Sequence, residues 1–180
     1  MDDQRRKIEA LLLPHLDAAY NLARWLTRSA SEAEDIVQDA MVRALKSLGG
    51  LRGNDARPWL LMIVRNCYRT AAKRRAGTAT VSLDATQDND SVRMEAALAT
   101  TAADPESMAS NAAERRRLDA LLAAMPPDFR EVLVLRELEE LSYREIADIT
   151  GVPMGTVMSR LARARTLLKE RWLAAEKASL

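Results

Sequence analysis

Apolar side chains return along much of this chain every three or four positions, the period of α-helices that bury one face. Leu12, Leu16, Ala19, Leu22, Ala23 and Leu26 mark a helical segment within residues 3–27, read as one helix or as two broken at Pro14. "RSAS" interrupts the pattern. Ser31 and Glu34 then stand three apart, the spacing of a capping box, in which each side chain satisfies a free backbone N–H. Ala33, Val37, Ala40, Met41, Ala44 and Leu48 predict a helix from there to about Leu48. The Gly-rich "GGLRGND" is a loop. Pro58 is placed to open a third helix, because proline suits the first helical position. Its inward face is Leu60, Ile63, Val64, Cys67 and Ala71, and it ends near Gly77.

From Gly77 to about Pro105 no strong period appears, and Thr, Asp, Ala and Ser dominate. This reads as a linker with at most a helical turn around Val92–Leu98. Connectors of this length are uncommon inside one compact domain, so it marks a boundary. Helical pattern resumes at about Glu106 and runs to Met125, where "PPD" breaks it. Val132, Leu133, Leu135, Leu138 and Leu141 predict the inward face of a further helix.

The next stretch is "LSYREIADITGVPMGTVMSRLARAR". Ser142 and Glu145 form a second capping box, opening a helix that runs through Thr150 with Ile146 and Ile149 inward and the small Ala147 where helices cross. Gly151 supplies a residue able to take a positive φ at the turn. Pro153 opens the second helix. At 100° per residue, Val157, Leu161, Ala164 and Leu168 share its core face. Met158, Ser159, Ala162, Arg163 and Thr166 lie opposite, with Arg160 and Arg165 on the flanks, and Thr156 is counted with this outer set. Arginine takes guanine bidentately, and Ala or Met meets a thymine methyl, so the face suits a major groove, with the flanking arginines placed for phosphates. A solvated amphipathic helix is the plainer alternative; capping box, glycine turn, second-helix start and asymmetric outer face together favour a DNA-reading helix-turn-helix.

Composition narrows the class. Hydrophobic residues make up 48% of 180 residues and aromatic ones 4%, with Ala and Leu abundant, which favours helices. The expected fold is all-α: two small helical domains, 1–77 and 106–180, joined by a flexible acidic linker, 78–105, the C-terminal domain being the helix-turn-helix. Net charge is only +1, yet residues 1–75 carry +5, residues 76–113 carry −5 and residues 114–180 carry +1. Cys67 is the single cysteine, so no intramolecular disulfide forms. No run approaches the roughly 20 apolar residues of a membrane span, and the opening "MDDQRRKIEALLLPHL" has no apolar stretch long enough for a signal peptide. A cytoplasmic protein is expected.

At this point the residues resemble a known family. "LSYREIADITGVPMGTVMSRLARAR" and the preceding "ALLAAMPPDFREVLVLRELEEL" are similar to the promoter-reading domain of bacterial sigma factors of the extracytoplasmic-function (ECF) type. "SEAEDIVQDAMVRALKSL" and "ARPWLLMIVRNCYRTAAKRR" resemble that family's polymerase-binding and −10-reading segments. The likeness covers nearly the whole chain apart from the linker. It implies a role for Asp35, Gln38 and Asp39, which lie at i, i+3 and i+4 on one helix face: docking on the clamp helices of core RNA polymerase. It implies that the loop Leu51, Arg52, Gly53 and Asn54, with Asn66, takes a base flipped from the −10 strand. Leu51 stands where the family often has an aromatic. Arg65, Arg69, Lys73, Arg74 and Arg75 would hold the phosphates of that strand. For Trp59, packing at the helix start is preferred over stacking on DNA. The acidic linker would thread toward the polymerase cleft, and an anti-sigma factor is the expected regulator. The −35 duplex falls to Thr156, Met158, Ser159, Arg160, Ala162, Arg163 and Arg165.

Three rival functions weigh less; a pure protein-interaction adaptor leaves the basic strand-binding segment unexplained. A stand-alone helix-turn-helix regulator needs a dimerisation or ligand-binding segment, and none is found. An enzyme needs catalytic groups in context. His15 is the only histidine and reads as a surface or helix-end residue; Cys67 lies on an apolar helix face and reads as core. No metal cluster and no phosphate-binding glycine motif occurs, so neither catalysis, a cofactor nor a small-molecule substrate is expected; the partners implied are core RNA polymerase, promoter DNA and the anti-sigma factor.

Overall fold

A computed structural model describes residues 10–47, 51, 55–78 and 105–177. Among them there are helices and turns and no strand. The predicted turn at Val92–Leu98 and most of the linker lie outside the described residues.

The first segment is helical from Ala10, tightens to a 3₁₀ turn at Leu13–His15, and continues as α1, Leu16–Thr27. Pro14 is the cause: it lacks the N–H an α-helix interior requires, so the break falls where expected but as a tightened turn. Arg28 closes α1 in the left-handed conformation (φ 63°), its N–H reaching the Arg24 carbonyl. Helix α2, Ala30–Lys46, begins two residues earlier than predicted. Its N-cap is Ser29, whose Oγ accepts from the Glu32 N–H at 3.4 Å. Ser29 and Glu32 repeat the Ser-x-x-Glu spacing of Ser31 and Glu34, and the earlier pair wins because α1 ends at once before it. Ser31 instead shares a hydrogen bond with Ser29.

Helix α3, Ala56–Thr78, also starts earlier than predicted. The Asp55 carboxylate accepts from the Arg57 N–H at 3.1 Å, which leaves Pro58 in the first turn, where its missing N–H costs nothing. Leu60, Leu61, Val64 and Cys67 are buried, and Trp59 is half-buried against them, in its expected packing role. Burial pushes the Cys67 thiol above its ordinary range, which removes thiolate character. Helices α1, α2 and α3 pack on one another as the N-terminal half.

The C-terminal half holds α4, Pro105–Ala123; α5, Pro127–Leu133; α6, Tyr143–Thr150; and α7, Met154–Lys177. Pro126 and Pro127 separate α4 from α5. After α5 the chain winds one wide π turn, Val134–Leu138. The Glu139 N–H reaches back to the Val134 carbonyl and the Leu141 N–H to the Leu135 carbonyl, both at 3.1 Å. The extra residue rotates the face. Leu138, predicted inward, is exposed, and Glu139 is turned inward in its place.

The two halves are not separate cores. One hydrophobic cluster runs from Leu22, Leu60 and Val64 through Val132, Leu135, Ile146 and Leu161. A second joins Leu122, Met125, Leu133 and Ala164, with Trp25 of α1 packed against it. Polar contacts fix the seam. Arg65 of α3 meets Glu131 of α5 through Nε–Oε1 at 2.6 Å and Nη2–Oε2 at 3.3 Å, with both side chains buried. Arg57 donates to the buried Glu139 at 2.5 Å. Desolvation still raises the Glu139 carboxyl above the usual glutamate range, with Arg57 acting against it. Arg130, also buried, donates to the carbonyls of Leu122, Ala123 and Met125 and, at 3.3 Å, to Trp25 of α1. It thereby satisfies the free carbonyls at the end of α4.

Removing one partner of a buried ion pair leaves the other charge without compensation. Glu131→Ala is expected to lower stability by about 3–5 kcal/mol, and Arg65→Met combined with Glu131→Leu to recover most of it. Urea unfolding of the three proteins checks this; an unchanged midpoint for Glu131→Ala contradicts it.

Candidate nucleic-acid interface

The helix-turn-helix is built by local rules. Ser142 accepts from the Glu145 N–H at 3.3 Å, and Glu145 accepts from the Ser142 N–H at 2.7 Å, so both halves of the capping box are present. The hydroxyl of Thr150 donates to the Ile146 carbonyl at 2.6 Å, turning its polar group back onto the helix it ends. Gly151 sits at φ 69° with its N–H on the Ala147 carbonyl at 2.8 Å. This is a left-handed cap that side-chain-bearing residues adopt only at a cost. Two residues later the Pro153 carbonyl takes the N–H groups of Thr156 and Val157, and α7 begins.

Ile146, Ile149, Val157, Leu161 and Ala164 are buried, and this orients both helices. Leu168 is half-buried against the second cluster. Met158, Ser159, Ala162, Arg163 and Thr166 all face solvent, as the helical period predicted, and Thr156 and Arg160 are half-buried beside them. Helix α7 runs on past the expected reading segment to Lys177. Its far end is tied to α4, where Arg117 lies 4.5 Å from the Trp172 ring centroid and donates to the Trp172 carbonyl.

The arginines of α7 differ in their surroundings. Arg160 pairs with Asp128 at 2.7 Å. Arg165 pairs with Glu137 at 2.6 Å, and the hydrogen bonds to that carboxylate raise its guanidinium further above the ordinary range. Arg163 is exposed at the middle of the outer face. Both pairs are exposed enough to exchange partners cheaply.

The predicted −10 residues divide. Asn66, Arg69 and Lys73 recur at i, i+3 and i+7 along one exposed side of α3, with Arg74 exposed beside them. Arg75 pairs with Glu32. Arg65 departs from the prediction: Glu131 takes its guanidinium, and at 6% exposure no phosphate reaches it in this arrangement. Leu51 is half-buried against the core, while Arg52, Gly53 and Asn54 lie outside the described residues. On α2, Asp35, Gln38 and Asp39 are exposed on one face, and Asp39 holds Arg43 at 3.1 Å.

The seam residues Arg57, Arg130, Glu131 and Glu139 carried no role in the sequence reading. One signal was present: Glu131 precedes Val134 and Leu135 by three and four positions, which puts a carboxylate on an inward face. Its partner in α3 had no local sign.

A family model described as Sigma-70 region 2 matches residues 11–78, and one described as Sigma-70, region 4 matches residues 115–168. The RNA polymerase sigma factor YlaC of Bacillus subtilis is 32% identical over 92% of this chain and 92% of its own length. The ECF RNA polymerase sigma factor SigE of Mycolicibacterium smegmatis is 32% identical over 90% of this chain, which spans 60% of that relative's length. Among solved structures, the sigma factor RpoE of Bartonella quintana, in complex with the anti-sigma factor NepR, superposes with a TM-score of 0.66 at 28% identity, covering 96% of this chain and 98% of that one.

The turn geometry gives a direct test. Gly151→Ala places a Cβ on a left-handed residue, and is expected to cost about 1–2 kcal/mol, although open space surrounds the position. Chemical denaturation measures it; a loss near zero contradicts a strained turn.

Proposed function

The chain belongs to the ECF sigma factors, and from that premise we propose how its surfaces divide the work of promoter-specific transcription initiation. The single observation that carries the reading is the presence of both sigma regions, in order, in one chain. A stand-alone helix-turn-helix regulator leaves residues 11–78 without a purpose.

Core RNA polymerase docks on the α2 face of Asp35, Gln38 and Asp39. The −35 element enters as duplex against α7, where Thr156, Met158, Ser159, Ala162 and Arg163 meet base edges and Arg160 and Arg165 exchange their carboxylates for phosphates. The −10 element is held as a melted strand along Asn66, Arg69, Lys73 and Arg74, with Leu51, Arg52 and Asn54 at the flipped base. Arg65 is left out of that set as long as Glu131 holds it. Melting requires no catalytic group: affinity for the unpaired strand shifts the duplex equilibrium. A net charge of +1 suits a factor that binds DNA with polymerase rather than alone. Residues 78–105 act as the acidic connector between domains 1–77 and 106–180. An anti-sigma factor holds the protein inactive, as the complex of the Bartonella relative suggests by likeness. No helix among the described residues is long and apolar enough to cross a membrane, in keeping with work at the cytoplasmic polymerase.

Two variants test the assignments separately. Asp35→Ala with Gln38→Ala is expected to weaken binding of fluorescently labelled full chain to core polymerase by about tenfold or more, as loss of interface anchors does, with the melting temperature unchanged; wild-type affinity rejects the docking face. Arg163→Ala is expected to reduce initiation on a −35-containing promoter by roughly 5- to 100-fold and to leave core binding intact. Equal initiation from wild type and variant across −35 substitutions rejects that role.

A further inference from the structure

Most large apolar side chains of this protein are covered, but Met154 and Met158 are 52% and 48% exposed. They stand four residues apart on the first two turns of α7, and exposed Ala162 continues the same row. Nothing in the core requires this row, since Val157, Leu161 and Ala164 bury the other face. Gly155, beside Met154, has open space where a Cβ would lie, so the first turn of the helix carries no charge and, on its outer side, little bulk besides Met154.

The hydroxyls of Ser159 and Thr166 have spent their protons. Ser159 donates to the Thr156 carbonyl at 3.0 Å, and Thr166 donates to the Ala162 carbonyl at 3.1 Å. Arg165, which follows the row along the helix, is held by Glu137, and the exposed guanidinium on the other flank is Arg163.

A major groove offers one apolar group, the C5 methyl of thymine. We infer that Met154, Met158 and Ala162 read thymine methyls in the −35 duplex, while Arg163 takes a guanine edge on the opposite flank. The inference rests on the reading of α7 as the −35 helix. Met154 joins the interface as a specificity-determining residue. Methionine suits the task because its flexible thioether adapts to a methyl's position. Four residues rise about 6 Å along the helix, close to two base steps of roughly 3.4 Å, so Met154 and Met158 face different base pairs.

The test uses holoenzyme formed from the full chain and bacterial core polymerase, with its −35 sequence selected from a randomised library. Each thymine of that element is then replaced by deoxyuridine, which removes the methyl and keeps the hydrogen-bonding edge. Promoter affinity is expected to fall on the order of fourfold for each buried methyl lost. That loss should vanish in the Met154→Ala, Met158→Ala double variant, whose exposed positions leave folding intact by melting temperature. A −35-dependent holoenzyme indifferent to uridine at every position, or equally sensitive in the double variant, overturns the inference, and so does a selected element without thymine. A holoenzyme that initiates without regard to the −35 element overturns the underlying reading of α7 instead.

Discussion

Arg65 and Glu131 carry two full charges into a space from which water is excluded, and the arrangement of the two halves depends on their meeting. Desolvating both groups costs several kcal/mol each, and only a well-aligned, hydrogen-bonded contact returns it. The alignment is present: two nitrogens of one guanidinium meet two oxygens of one carboxylate. Because parting the two leaves a bare buried charge, the pair holds α3 to the C-terminal half by its side chains. Arg57 with Glu139, and Arg130 with the Trp25 carbonyl, repeat the constraint on either side. Between them Ile146 and Ile149 seat α6 on the shared core. The outer face of α7 is thereby turned to solvent.

What the sequence revealed, and what it hid, follows from the range of each interaction. The capping box at Ser142 and the cap at Gly151 join residues three or four apart, so the helix-turn-helix was legible almost to the residue. Helical period likewise separated Met158 and Arg163 from Val157 and Leu161. Competition between local signals was harder. Ser29 and Ser31 each head a Ser-x-x-Glu pattern, and only the end of α1 at Arg28 decides between them. The π turn after α5 adds a residue within an unbroken helical pattern, which is why Leu138 and Glu139 exchanged places. The pairing across the seam left no local sign beyond the inward position of Glu131, since Arg65 and Glu131 lie 66 positions apart.

The same distribution of charge gives the functional surfaces their character. Several arginines of these surfaces are held by acids: Glu137, Asp128 and Glu32 hold Arg165, Arg160 and Arg75. Such pairs weaken nonspecific attraction to DNA while letting a phosphate displace an exposed carboxylate. A chain built this way favours sites where polymerase contributes contacts of its own. That condition, rather than any one residue, separates an initiation factor from an autonomous regulator.

Run-off transcription tests the initiation role most directly. Bacterial core polymerase is supplied with a promoter library, with and without the full chain, and the transcript starts are sequenced. Starts that appear only with the chain and share two spaced elements, near −35 and −10, are the predicted result. Absence of chain-dependent starts, together with binding of the free chain to a palindromic duplex, would contradict it.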